Sequence, residues 1–213
     1  MYEAHPCVAL SELFRRKPYQ GAAPDRAEFL FVGLDANYSA EIEQSPIFSK
    51  LVQYHEDGPA FWRQHGIHHP FLLPAYFGDG RRYHLTFAKI GFHAKDADRV
   101  SFVEMLHVPT VGRSRLEPRD LDRSHVQRLR DAIFAGAAKY IFVSAGVLRL
   151  MSGTGAFGEL LGAPHSSGPL RVLFRDSRRS VFLHLHFSNY GKFEAQLQAE
   201  AKAIAALLQN GAA

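Results

Sequence analysis

"EFLFVGLDANYSA", residues Glu28 to Ala40, decides how the rest of the chain is read. Four consecutive apolar residues, Phe29 to Val32, close at Gly33, which is the pattern of a strand buried on both faces. Asp35, Asn37 and Tyr38 follow at once. A carboxylate, an amide and a phenol just beyond a buried strand stand where open α/β sheets bind ligands, outside the carboxyl ends of their strands.

Further buried runs follow at "VSFVEML" (Val100 to Leu106) and "KYIFVSAG" (Lys139 to Gly146). Between them lie stretches of helical spacing. "SPIFSKLVQYH" offers Ser45 as N-cap and Pro46 at the first helical position. "PAFWRQH", "RRYHLTFAKIGF" and "RSHVQRLRDAIFAGA" are also read as helices, the last with Ser124 as its candidate cap. "LRVLFRD" and "SVFLHLHFS", joined by the polar "SRR", predict a hairpin. The tail "KFEAQLQAEAKAIAALLQ" is an amphipathic helix. Residues 1–26 read as a lead-in with a short helical stretch near "SELFRR". With no repeat or linker, the expectation is a single domain over 1–213. It is an α/β fold of three layers, α/β/α, with a mostly parallel central sheet.

At 213 residues, 46% hydrophobic and 22% charged, the composition is that of an ordinary soluble globular domain. No apolar run approaches the roughly 20 residues that span a bilayer, and the N-terminus carries no export pattern, so no membrane partner is expected. Cys7 is the only cysteine, which excludes an internal disulfide and any four-cysteine metal centre. A monomer in a reducing cytoplasm, without cofactor, is the expectation. The net charge is +4, gathered in "RRK" (Arg15 to Lys17), "GDGRRYH" (Gly78 to His84), "GRSR" (Gly112 to Arg115) and "RDSRR" (Arg175 to Arg179). Such clusters either track a polyanion or are solvated loop charges.

After the last strand run come His186, Ser188 and Asn189, a second polar set at a strand end. Paired with Asp35 across a cleft, His186 makes a chemical couple: the carboxylate stabilises a developing cation or orients water, and the imidazole donates to an anion on a leaving group. Taken singly, Asp35 also suits an Asx turn or helix cap, and His186 a ring satisfied by backbone. The twelve histidines, including "HHP" (His68 to Pro70), lack the helical spacing of a metal motif, so no metal site is expected. "GTGAFG" (Gly153 to Gly158) lacks the lysine of a phosphate loop and reads as a flexible loop. "VSAGV" around Ser144 lacks the first glycine of a nucleophile elbow.

"GLDANY" (Gly33 to Tyr38) resembles the first motif of the uracil-DNA glycosylase superfamily, and "HFSNYGKF" (His186 to Phe193) resembles its last. "IFS" (Ile47 to Ser49) stands where uracil-specific members carry a stacking phenylalanine. The resemblance runs from about Phe29 to Phe193 through short motifs in the right order. It implies that fold and a DNA glycosylase that cuts the N-glycosidic bond of a flipped-out uracil or other deaminated base, in DNA repair by base excision, with DNA as partner. Asp35 and His186 would be the catalytic pair. Phe48, Asn37, Tyr38 and Glu104 would face the base. Ser188, Asn189, Tyr190, Lys192 and Arg113 would face DNA, with Tyr190 in the place of the wedge that fills the vacated stack.

Two departures matter. Ala36 and Asn37 separate Asp35 from Tyr38, where the best-known members have a proline and then the tyrosine. Glu104 stands where uracil-reading members keep an asparagine. An ionised glutamate only accepts hydrogen bonds and repels a carbonyl, so it fits uracil only when protonated. Otherwise Glu104 pairs with a neighbour such as His107 or Arg113, or marks a protein of the same fold that binds nucleic acid or a nucleotide without cleaving it.

Overall fold

A computed structural model describes residues 2–112, 115–162 and 168–210. Arg113, one of the residues expected at the DNA face, lies outside the described residues. The central sheet has six strands, in chain order β2 (Tyr19–Gly21), β3 (Phe29–Gly33), β5 (Val100–Glu104), β7 (Tyr140–Ser144), β8 (Arg171–Arg175) and β9 (Ser180–His184). Across the sheet the order is β2-β5-β3-β7-β9-β8. The four inner strands are mutually parallel, and the edge strands β2 and β8 run antiparallel to their neighbours. A small second sheet joins β1 (Glu3–Ala4), β6 (Thr110–Val111) and β4 (Asn37–Tyr38).

The unbroken apolar runs have the expected cause. Along β3, Leu30 and Val32 enter one core and Phe29 and Phe31 the other. The first core is covered by α5 (Arg123–Phe134) and α6 (Ala145–Thr154), through Val126, Leu129, Ile133, Val147 and Met151. The second is covered by α3 (Gly58–His65), α4 (Arg81–Ala88) and α7 (Glu194–Asn210), through Trp62, Phe87, Leu197, Ala201 and Ile204. Helices thus lie on both faces of a mixed, mostly parallel sheet, and the chain is an α/β protein. No helix among the described residues is long and apolar enough to cross a membrane.

Residues 1–26 are more than a lead-in. β2 closes one edge of the sheet, and α1 (Val8–Arg16) places Leu10, Leu13 and Phe14 in a third core with Tyr38, Leu51 and Phe71. Cys7 caps that helix, its sulfur accepting from the Leu10 N–H at 3.3 Å. Two helix starts also differ from expectation. α2 (Phe48–Glu56) begins after Ile47, because Ser45 is extended (ψ 138°) and its hydroxyl meets only the Ile47 N–H at 3.5 Å. α5 is capped by Asp122, whose carboxylate takes the His125 N–H at 2.7 Å and leaves Ser124 within the helix. "GTGAFG" is not a free loop either: Gly153 and Thr154 end α6, and Phe157 is fully buried.

The start of α3 packs on β2 with no room for a side chain. A Cβ on Gly58 would lie 2.7 Å from the Gly21 Cα and 2.8 Å from its nitrogen. Gly58→Ala should therefore cost about 1–3 kcal/mol as an overpacked contact, read as a lower urea midpoint with unchanged slope. An unchanged midpoint would mean that β2 is not held there.

Candidate functional site

Beyond the carboxyl ends of the inner strands lies a slot of about 290 Å³. Its lining includes Asp35, Asn37, Tyr38, Glu104, His186 and Ser188, drawn from stretches up to 153 positions apart in the chain.

The Asp35 segment is clamped rather than loose. The Gly33, Leu34 and Ala36 carbonyls accept from the N–H groups of Met105, Leu106 and Thr110 at 2.9–3.0 Å, so the chain beyond β3 is tied to the chain beyond β5. Asp35 caps no helix. Its Oδ2 takes a short hydrogen bond from the Thr110 hydroxyl, and that hydroxyl in turn accepts from the Asn37 side-chain nitrogen at 3.1 Å. The same Asn37 nitrogen also donates to the Gly112 carbonyl. Asn37 therefore supports Asp35 through Thr110, and its amide N–H is not free for a ligand.

His186 is held from both sides. The preceding Leu185 N–H donates at 2.8 Å to Glu200, a carboxylate buried on α7. The following Phe187 is buried against Phe31, Tyr83, Phe87 and His184. Between these anchors the imidazole is exposed at the mouth of the slot, its Nδ1 2.6 Å from the Ser188 hydroxyl and 3.4 Å from the Ser188 N–H. With Nδ1 accepting, the neutral ring carries its proton on Nε2. Loss of surrounding water holds His186 below its ordinary value of 6.5, and the Asp35 charge opposes that shift.

The walls are aromatic. Phe71, Tyr83 and Phe102 line the slot, together with His69 and His84, whose rings stack 3.6 Å apart at 7°. Burial holds both imidazoles far below 6.5, so they stand as neutral rings; the Phe71 N–H donates to His69 Nδ1 and leaves its proton on Nε2. Tyr38 is buried, its hydroxyl accepting from the Gln20 amide at 2.8 Å and its ring edge-on to Phe71. Phe48 does not line the slot. It lies at the first turn of α2, partly buried against the third core, and Phe71 supplies the aromatic wall instead. Among the described residues no group of three His, Cys, Asp or Glu side chains is placed to hold a metal ion.

Glu104 ends β5 directly opposite Gly33 of β3. Its carboxyl occupies the space a side chain on Gly33 would need: a Cβ there would fall 1.9 Å from Oε2. No ion pair joins it to His107. Burial, and then the Asp35 charge, push Glu104 up from 4.5 to about 8.

The residues expected at a DNA face have mixed placements. Tyr190 is 65% exposed, with the Arg82 guanidinium 4.6 Å from its ring centre. Lys192 stands over Phe193, and the Asn189 amide donates to the His186 carbonyl. Several basic clusters are partly structural. Arg81 donates to the Phe71, Leu73 and Tyr76 carbonyls, and buried Arg179 to that of Ile133. Lys17 donates to the His55 carbonyl. A larger groove of about 750 Å³ runs between α4 and α7; Asp79, Glu194 and four Arg and Lys side chains line it, and among the described residues no histidine does.

Sequence reading missed Gln20, His69, Phe71, Tyr83, His84, Phe102, Thr110 and Glu200. Only Phe102 carried a signal, because two residues before Glu104 on one strand is the same face. No protein-family model and no curated protein matches the chain.

Since Asp35 favours the His186 imidazolium, Asp35→Asn should lower the His186 midpoint further below 6.5, measured from its ring signals by NMR. A midpoint that stays or rises would separate the two groups.

Proposed function

We propose that the protein is a DNA glycosylase of the uracil-DNA glycosylase kind, hydrolysing the N-glycosidic bond of a flipped-out uracil or other deaminated base. The observation that carries this reading is that Asp35 and His186 line one nucleobase-sized slot with aromatic walls.

Flipping a nucleotide out of the stack costs a few kcal/mol. Contact of the base with Phe71, Tyr83 and Phe102 recovers part of that cost. As the bond to the sugar lengthens, positive charge grows on the sugar and negative charge on the base. Asp35, fixed by Thr110, stabilises the first and orients the attacking water. His186 donates from Nε2 to a carbonyl oxygen of the departing base. Ser188 sets that tautomer, so its hydroxyl has a role apart from any phosphate. Water adds its oxygen to the sugar carbon and one proton ends on the released base, so the reaction balances without a further reactant. Tyr190, exposed and backed by Arg82, would enter the vacated stack, and Lys192 would meet phosphate.

Purified protein should leave alkali-labile abasic sites in single- or double-stranded oligonucleotides carrying uracil, hypoxanthine or xanthine. Asp35→Ala and His186→Ala should each lower the single-turnover rate by about 100-fold or more. Binding should weaken steeply with salt as phosphate contacts release counterions. DNA binding without release of any of these bases would assign the fold a binding role instead, and affinity indifferent to salt would remove nucleic acid as the partner.

A further inference from the structure

Two carboxyl groups share this slot, and among the described residues no lysine or arginine lines it. Asp35 has the Thr110 hydroxyl as a donor. Glu104 has none: among the described residues no hydrogen bond or ion pair reaches its carboxyl, although its main-chain carbonyl accepts from His125 Nε2 at 2.8 Å. The side chain lies flat against Gly33, where only the missing Cβ leaves room, and turns its oxygens to the space a ligand would fill. The titratable groups around it are Asp35 beyond β3, Tyr38 on β4, Tyr54 on α2, His69 before Phe71, Tyr83 and His84 on α4, and His186 beyond β9. The phenols and the two inner imidazoles are neutral, the Asp35 charge opposes ionisation of Glu104, and His186 stands at the mouth. Among the described residues no lysine or arginine stands in this shell to compensate a second negative charge.

We propose that Glu104 reads the base as a carboxylic acid, its O–H donating to a ring carbonyl and its C=O accepting from the adjacent ring N–H, so that the slot takes lactam bases such as uracil and hypoxanthine only while Glu104 keeps its proton. The inference rests on reading the slot as a nucleobase site. A carboxylate offers two acceptors and repels the carbonyl, whereas the acid offers one donor and one acceptor, as a side-chain amide does. Donation to the carbonyl also strengthens as that oxygen gains charge, which favours a lactam over an amino-substituted edge. The value of about 8 places the loss of the proton within reach of ordinary buffers.

The test uses a single-stranded oligonucleotide with one 2′-fluoro-2′-deoxyuridine, whose fluorine keeps the glycosidic bond intact, and the same strand with an abasic analogue. The preference of wild-type protein for the uracil strand should hold below about pH 7.5 and fall about fivefold between about pH 8 and 9. Glu104→Gln, a neutral amide at every pH, should show a preference that does not change over this range. A wild-type preference flat with pH, the same fall in Glu104→Gln, or equal affinity for the two strands overturns the inference. A pH-dependent preference without any base release would remove the glycosylase reading and leave Glu104 as the reader. Stability gives a readout without DNA. The folded protein holds a proton on Glu104 that the unfolded chain loses near 4.5, so the stability of wild type relative to Glu104→Gln should decline as pH rises from about 4.5 to about 8, the buried imidazoles contributing alike to both. Parallel stability profiles would show that Glu104 is ionised in the fold and sink the proposal.

Discussion

Four phenylalanine rings lie side by side across the inner sheet, and their register decides where everything else falls. Phe102, Phe31, Phe142 and Phe182 occupy paired positions on β5, β3, β7 and β9. Their centroids are 5.6, 4.7 and 5.4 Å apart, with interplanar angles of 26° or less. A slip of one residue in any strand would turn its ring out of this row and into the aliphatic core under α5 and α6. With the register locked, Gly33 ends level with Glu104, and Ser144 with His184. The polar residues that follow therefore emerge along one edge.

That edge sorts charge by depth. Inside, among the described residues, stand two carboxyls, neutral imidazoles and phenols, and no basic side chain of Lys or Arg type. Arg82 and Lys192 lie outside, over exposed or half-exposed rings. Burial removes water from around Glu104 and the inner imidazoles, so a charge that develops beside them is felt strongly by fixed groups, while the outer cations lie in solvent. The clamped Asp35 segment and the tethered His186 suit such a slot, because neither needs to reorganise as charge moves.

The strands were legible because parallel inner strands are apolar on both faces, and "FLFV", "VSFV" and "YIFV" show it without alternation. Helix starts were less so. Ser45 and Ser124 are good caps in isolation, but an extended turn displaced the first and the Asp122 carboxylate, a stronger acceptor, displaced the second. Phe48 is kept from the slot, whose wall Phe71 lines, because α2 turns its first residue toward the third core, a matter of helix packing and not of spacing along the chain. The basic clusters misled in the same way: a guanidinium such as that of Arg81 or Arg179 looks like loop charge until the carbonyls it satisfies are folded around it.

The chain by itself determined which segments are buried strands and helices, and that Asp35 and His186 each stand just past a strand, because periodicity and strand ends are local properties. The tertiary structure decided who meets whom: Thr110 on Asp35 from 75 positions away, Glu200 on the chain before His186, and Glu104 on the bare Cα of Gly33. It also decided the protonation of Glu104. A pKa depends on the water removed and the charges gathered through space, and neither is written in the order of residues.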